Sequence, residues 1–115
     1  MPHNNPTSAL KILDIDLALS RSAGNRRLAD DLLKMLIRDL PDYKATFLSD
    51  VTNKERLKDT LHKLHGGLRY IGAPSLMAIV SITDEQFLQF DEEKLTAQLQ
   101  LIAIEIDKIL EENNY

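Results

Sequence analysis

The chain has 115 residues, of which 43% are hydrophobic and 28% charged, values typical of one soluble globular domain. Its 18 acidic and 14 basic side chains give a formal net charge of −4. This balance argues against a general nucleic-acid binder, because phosphate contacts need a concentrated basic surface. The absence of cysteine excludes disulfides, thiol catalysis and thiolate metal sites. No signal peptide is visible, and no apolar run approaches the roughly 20 residues that a membrane span needs.

The first eight residues, MPHNNPTS, contain two prolines and two asparagines, a composition typical of linkers. We therefore expect a disordered tail or linker over residues 1–12 and one helical domain over residues 13–115. A short first helix follows, with Asp14 or Asp16 as its cap and Gly24 as its stop.

Asn25 then caps a longer helix, in which Pro41 should produce a kink or a split into two helices. Apolar residues recur along this second helix at three- and four-residue steps: Leu28, Leu32, Met35, Leu36, Leu40, Tyr43, Phe47 and Leu48.

Three further helices are predicted, beginning at Asn53, near Pro74 and at Asp91. The third carries an apolar stripe and ends at Gly72, and the fourth and fifth each turn one apolar side inward. The stripe is Leu57, Leu61, Leu64, Leu68 and Ile71; the inward sides are Leu76, Ile79, Val80, Thr83 and Phe87, then Leu95, Leu99, Ile102, Ile106, Ile109 and Leu110. These patterns predict an all-α fold, an up-and-down four-helix bundle with a short extra N-terminal helix.

The stretch LHKLHGGLRY, residues 61–70, places two glycines inside the third helix. Each costs roughly 1 kcal/mol relative to alanine. At about 100° per residue, His62 and Gly66 point away from the apolar stripe, while His65 and Gly67 lie on its flanks. An exposed imidazole beside bare backbone suits a nucleophile whose reaction partner is another macromolecule.

The string His62-Lys63-Leu64-His65-Gly66, followed by Ile71-Gly72 and Leu76, resembles the motif of histidine phosphotransfer (HPt) domains. The HKLHG version, with histidine in place of the common lysine, is similar to the C-terminal HPt domains of BarA/GacS-type hybrid sensor kinases. The likeness extends over residues 13 to about 87.

This resemblance implies a phosphoryl carrier in a multistep His–Asp phosphorelay, without ATP-dependent activity of its own. His62 would take a phosphoryl group from a receiver-domain aspartate and pass it to a response regulator. Imidazole suits this role because its ordinary pKa of about 6.5 leaves it largely neutral and nucleophilic near pH 7. The resemblance further implies that His65 and Arg69 support the phosphoryl group and that Gly66 gives the receiver access.

The partners implied are a receiver domain of a hybrid sensor kinase and a downstream response regulator, with no nucleic acid and no direct membrane contact. The HPt domain needs no cofactor, because the receiver brings Mg²⁺. Lys58, Lys63 and Tyr70 are candidates for docking the partner. We expect a monomer in the cytoplasm, either free-standing or as the cytoplasmic tail of an inner-membrane kinase.

The sequence departs from the family at Asp84, where a glutamine is common. Because a carboxylate would repel a phosphohistidine, we expect Asp84 to point aside. Two other functions stay open. A passive helical adaptor would tolerate His62→Gln, and a metal-binding bundle would use Asp59, His62 and His65, although no second helix supplies another histidine.

Overall fold

A computed structural model describes residues 10–115, which form five α-helices and two 3₁₀ turns. The helices are α1 (Ile15–Arg21), α2 (Arg26–Phe47), α3 (Lys54–Gly67), α4 (Pro74–Glu85) and α5 (Glu92–Glu112); the turns are Leu68–Tyr70 and Phe87–Gln89. Helices α2 to α5 each pack on two neighbours and close a four-helix bundle, with α1 against α2. The described residues contain no strand, and the predicted all-α bundle with a short N-terminal helix is confirmed. Within residues 10–115, no helix combines the length and apolarity needed to span a bilayer.

Four helices begin at the residues that the sequence predicts. The side-chain oxygens of Asp14, Asn25, Asn53 and Asp91 each accept a hydrogen bond from the backbone N–H three residues further on. Each such cap stabilises its helix by about 1 kcal/mol. Pro74 occupies the first position of α4, where its missing N–H costs nothing.

Helix α2 runs unbroken through Pro41, so the alternative of a split helix is wrong. Pro41 lies on the exposed side, away from Leu40 and Phe47, which anchor the helix in the core. The apolar face also lies differently from the predicted one, since Leu28 and Met35 are largely exposed. The residues of α2 that are buried are Ala29, Leu33, Leu36, Leu40 and Phe47.

The core is a single cluster to which α2, α3, α4 and α5 contribute. The predicted stripe of the third helix is fully buried, from Leu57 to Ile71. The inward residues of α4 and α5 are also buried, although Phe87 lies in the 3₁₀ turn after α4, and Leu110 is only partly covered. Burying a leucine contributes roughly 1.5–3 kcal/mol. This stripe therefore fixes the rotation of α3 about its axis and leaves the opposite face in solvent.

The sequence predicts that the third helix ends at Gly72, and this is wrong. Helix α3 ends at Gly67, and the 3₁₀ turn follows. Gly72 is instead a buried meeting point of three segments. Its N–H donates to the Tyr115 hydroxyl at 2.9 Å, and its carbonyl accepts from the Asp14 N–H at 2.8 Å. A Cβ at this position would overlap the Asp14 carbonyl oxygen and touch Ala18. Glycine is required here because the backbones approach so closely.

The folded part includes residues that the predicted boundary places in the tail. The Lys11 carbonyl accepts a hydrogen bond from the Ser75 N–H at 3.2 Å, and Ile12 packs, partly buried, against the core. The remainder of the predicted tail, residues 1–9, lies outside the described residues.

We expect Gly72→Ala to lower the free energy of unfolding by about 1–3 kcal/mol, because the added methyl group forces backbone apart. Urea denaturation of the two proteins would measure this loss. The control is Gly67→Ala, since a Cβ there meets nothing within 4 Å and Gly67 has helical backbone angles. That variant should be as stable as the wild type or more stable, by up to about 1 kcal/mol. Equal stability of the two variants would show that Gly72 is not a point of close approach.

Candidate functional site

The exposed face of α3 carries His62, whose side chain is 81% exposed. Gly66 lies one turn further on the same face, and a Cβ built on it meets nothing within 4 Å. Both residues therefore point into solvent, as the helical periodicity predicts. The bare backbone beside the ring leaves the imidazole open to a large reaction partner.

Asp84 of α4 reaches this face from below, so the expectation that it points aside is wrong. Its side chain is only 5% exposed, and its Oδ2 lies 2.8 Å from His65 Nδ1 and 3.3 Å from His62 Nδ1. Its Oδ1 accepts a hydrogen bond from Lys58 Nζ at 2.8 Å, and Lys58 also donates to the Asp84 backbone carbonyl. A buried carboxylate is tolerated here because one ammonium group and two imidazoles surround it.

Burial by itself raises the pKa of Asp84, but the hydrogen bonds from Lys58, His65 and His62 and the charge of Lys58 outweigh it. Together they lower the pKa to about 2 from an ordinary value of 3.8. Asp84 is therefore ionised near neutral pH and can only accept hydrogen bonds. It follows that both imidazoles that contact it must carry a hydrogen on Nδ1.

His65 is mostly buried, with 18% of its side chain exposed, and both of its ring nitrogens have protein partners. Nδ1 donates to Asp84, and Nε2 lies 3.1 Å from the Ser81 hydroxyl, which donates to it in the neutral ring. In this arrangement His65 holds Asp84 in place. A direct contact between His65 and a phosphoryl group stays a prediction, and it would require the ring to leave Ser81.

His62 differs from His65 because its second nitrogen faces solvent. With the hydrogen on Nδ1 directed at Asp84, the neutral ring keeps a free lone pair on Nε2. The 3.3 Å distance is at the long end for a hydrogen bond, which leaves the ring some freedom to adjust. The site thus presents an exposed imidazole, with Nδ1 directed at a buried carboxylate and Nε2 open to solvent.

Of the other candidate residues, Lys58 points toward Asp84, whereas Lys63, Arg69 and Tyr70 are exposed. Lys58 directs its ammonium to Asp84 and lies 5.5 Å from the centre of the Phe87 ring, and its role in docking a partner stays a prediction. Lys63 is exposed and borders the same open depression as His62. Arg69 and Tyr70 lie in the 3₁₀ turn, and Arg69 is about 10 Å from His62 along the helix axis.

A shallow, largely apolar groove runs between α2 and α3 beside the two glycines. Met35 and Tyr70 border it, and both are more than half exposed. Gly66 and Gly67 form part of its wall, so the groove is continuous with the face that carries His62. Sequence periodicity did not locate this groove, because Met35 was assigned to the core face of α2.

The predicted metal-binding alternative required Asp59, His62 and His65 to converge. In the structure both histidines turn to Asp84 of the neighbouring helix instead. The part of the chain that the structure describes contains no group of three or more His, Cys, Asp or Glu residues placed to hold a metal ion.

Comparison with known proteins gives consistent matches. A profile of the Hpt domain family matches residues 31–112. The signal transduction histidine-protein kinase BarA of Escherichia coli K12 is 33% identical over 111 residues, covering 94% of this chain. The sensor histidine kinase GacS of Pseudomonas protegens is 34% identical over 90 residues, covering 76% of it. The chain spans only 12% and 10% of the lengths of these two relatives.

The crystal structure of the HPT domain from the Hpt sensor hybrid histidine kinase of Shewanella superposes with a TM-score of 0.82. The match covers 89% of this chain and 90% of that domain, at 25% sequence identity. The likeness in fold therefore extends over almost the whole chain.

We expect the stability that ionised Asp84 provides to disappear in acid. Because its pKa falls from 3.8 to about 2 on folding, the contribution is complete above about pH 4 and is lost as the pH falls through 2. A shift of this size corresponds to roughly 2 kcal/mol. The difference in unfolding free energy between wild type and Asp84→Asn should therefore shrink by about this amount between about pH 5 and pH 2.

Urea denaturation at several pH values in this range would measure the difference. The control is Asp59→Asn, an exposed carboxylate on the same face of α3, for which only a small difference is expected at every pH. If the difference in unfolding free energy between wild type and Asp84→Asn stays constant down to pH 2, the lowered pKa of Asp84 is contradicted.

Proposed function

The chain belongs to the Hpt domain family, which carries phosphoryl groups in the His–Asp phosphorelays of hybrid sensor kinases, and we propose that His62 is its phosphoacceptor. His62 would accept the group from the aspartate of a receiver domain and pass it to a response regulator. The observation that carries this proposal is the exposed His62 ring, held through Nδ1 by Asp84, with Nε2 free in solvent.

The chemistry needs no proton transfer at His62. The Nε2 lone pair attacks the phosphorus of the aspartyl phosphate, the P–N bond forms, and the P–O bond breaks with its electron pair going to the aspartate carboxylate. The hydrogen on Nδ1 stays where Asp84 holds it. In the second transfer an incoming aspartate attacks phosphorus, and the P–N electron pair returns to Nε2.

The domain contributes position and access, while the receiver would contribute Mg²⁺ and its own positive charge to neutralise the transferring group. Gly66 and Gly67 leave room for the receiver, and the groove bordered by Met35 and Tyr70 offers an apolar contact next to the site. Lys63 and Arg69 are exposed on the same side and would orient an acidic partner surface.

We also propose that the chain acts as the carrier module of a hybrid sensor kinase and works on the cytoplasmic side. The homology to BarA and GacS supports this role. The ATP-dependent autophosphorylation of such a kinase would belong to other parts of the protein, so the module itself would need no nucleotide.

We expect His62→Gln to abolish phosphorylation, because glutamine has no nucleophilic nitrogen. The wild type, His62→Gln and His65→Gln would be mixed with a phosphorylated receiver domain and Mg²⁺, and their intact masses recorded with and without brief acid treatment. An acid-labile phosphoryl adduct should form on the wild type, be absent from His62→Gln, and persist at a reduced level on His65→Gln. If His62→Gln keeps the adduct, the acceptor is another residue. If the wild type forms no adduct with any of several receivers, the bundle is a passive adaptor.

We expect Gly66→Gln to separate access from reactivity. A long side chain one turn from His62 should slow transfer from a phosphorylated receiver by at least about tenfold, the effect of about 1.4 kcal/mol in the barrier. Phosphorylation by phosphoramidate, a small chemical phosphoryl donor, should be nearly unchanged, because the ring itself stays exposed. The control is Ala97→Gln, which adds the same side chain to an exposed position of α5. Equal slowing with both donors would mean that Gly66 acts on the ring rather than on receiver docking.

A further inference from the structure

The contact between Asp84 and His62 points to a role after the phosphoryl group has arrived. We infer that Asp84 is a positioning residue that sets how readily phosphorylated His62 gives up its phosphoryl group, by keeping the hydrogen on Nδ1. This inference rests on the proposed assignment of His62 as the phosphoacceptor.

The protonation of Nδ1 decides what kind of leaving group the ring is. When Nε2 is bonded to phosphorus and Nδ1 keeps its hydrogen, the ring is a cationic phosphoimidazolium. Breaking the P–N bond then returns the electron pair to Nε2 and leaves a neutral imidazole. If Nδ1 has lost its hydrogen, the same cleavage must leave an imidazolide anion, which is a far poorer leaving group. The protonated form is therefore the active phosphoryl donor.

Asp84 stabilises this protonated form by its charge. Its Oδ2 lies 3.3 Å from His62 Nδ1, and the carboxylate is almost completely buried, so its charge stays fixed next to this nitrogen although the His62 ring itself is 81% exposed. A carboxylate at this distance favours the protonated, cationic form of the ring over the form that has lost the Nδ1 hydrogen. Lys58 on Oδ1 opposes the effect in part, but it also keeps the carboxylate ionised and fixed in direction.

The charged and titratable groups around His62 come from two helices. Along α3 they border the same open face, and from α4 one carboxylate enters beneath the ring: Lys58, Asp59, Lys63 and His65 of α3, and Asp84 of α4. Of the carboxylates in residues 10–115, Asp84 alone is hydrogen-bonded to the His62 ring. The effect on Nδ1 is therefore assigned to this residue.

The geometry also removes the objection that a carboxylate would repel the phosphoryl group. Asp84 contacts Nδ1, whereas the phosphoryl group would be carried by Nε2 on the opposite side of the ring and would extend into solvent. The cationic ring then lies between two anionic groups and is attracted to both. A neutral side chain amide could accept the same hydrogen bond, but it would not supply the charge.

The test compares how fast the phosphorylated proteins lose their phosphoryl group to water. Four proteins would be phosphorylated with phosphoramidate: the wild type, Asp84→Asn, Asp84→Glu and Asp59→Asn. After the excess reagent has been removed, loss of the phosphoryl group would be followed by ³¹P NMR over about pH 6 to 9. In the wild type the rate should stay high to a pH at least about one unit above that of Asp84→Asn. At the alkaline end the wild type should therefore lose its phosphoryl group about tenfold faster.

The two other variants separate charge at Asp84 from charge in general. Asp84→Glu keeps a carboxylate and should keep a profile close to that of the wild type. Asp59→Asn makes the same change in net charge as Asp84→Asn without touching the ring, and its profile should match the wild type. Superimposable profiles of folded wild type and Asp84→Asn would overturn the inference.

A measurement on the wild type alone covers the case in which Asp84→Asn does not fold. Ring ¹⁵N shifts of phosphorylated His62 report whether Nδ1 carries its hydrogen, and the titration midpoint should be higher in the folded chain than in the same chain unfolded in urea. Equal midpoints would overturn the inference. If no phosphoryl group is found on His62, the proposed function itself fails, whereas phosphorylated His62 with an unchanged pH profile removes only the role of Asp84.

Discussion

The arrangement of the site depends on one buried carboxylate between α3 and α4. Asp84 would be costly to bury alone, and Lys58, His65 and His62 compensate it. Ser81, from the same helix as Asp84, holds the far side of the His65 ring. The interface between these two helices is therefore apolar below and ionic at its rim. Because the ionic rim includes the exposed His62, the same contacts contribute to the packing of α3 on α4 and to the orientation of the His62 ring.

One side of helix α3 stabilises the fold, and the other side weakens it. Its inner side is a continuous row of leucines that supplies much of the core, and its outer side carries Gly66, which weakens the helix by roughly 1 kcal/mol, with Gly67 next to it as the last helical residue. Neither glycine has a positive φ or a steric reason to lack a side chain. The most direct explanation is access to His62, since stability alone would favour alanine at both positions.

Features that depend on neighbouring residues in the chain could be predicted from the sequence. The caps at Asn25, Asn53 and Asp91 and the outward direction of His62 and Gly66 follow from local hydrogen bonding and helical periodicity. The direction of Asp84 could not be predicted from repulsion alone, because its partners come from a different helix. A signal did exist: Asp84 follows Thr83 on the inward side of α4, where an ionised group needs a counter-charge.

Gly72 has a further consequence for the order in which the domain assembles. Adjacent helices of an up-and-down bundle meet through short loops, so pairing α3 with α4 costs little chain entropy. The bonds that Gly72 makes to Asp14 and Tyr115 close long loops from opposite ends of the described chain. Both terminal segments should therefore dock late, onto a helix pair that already holds His62 and Asp84.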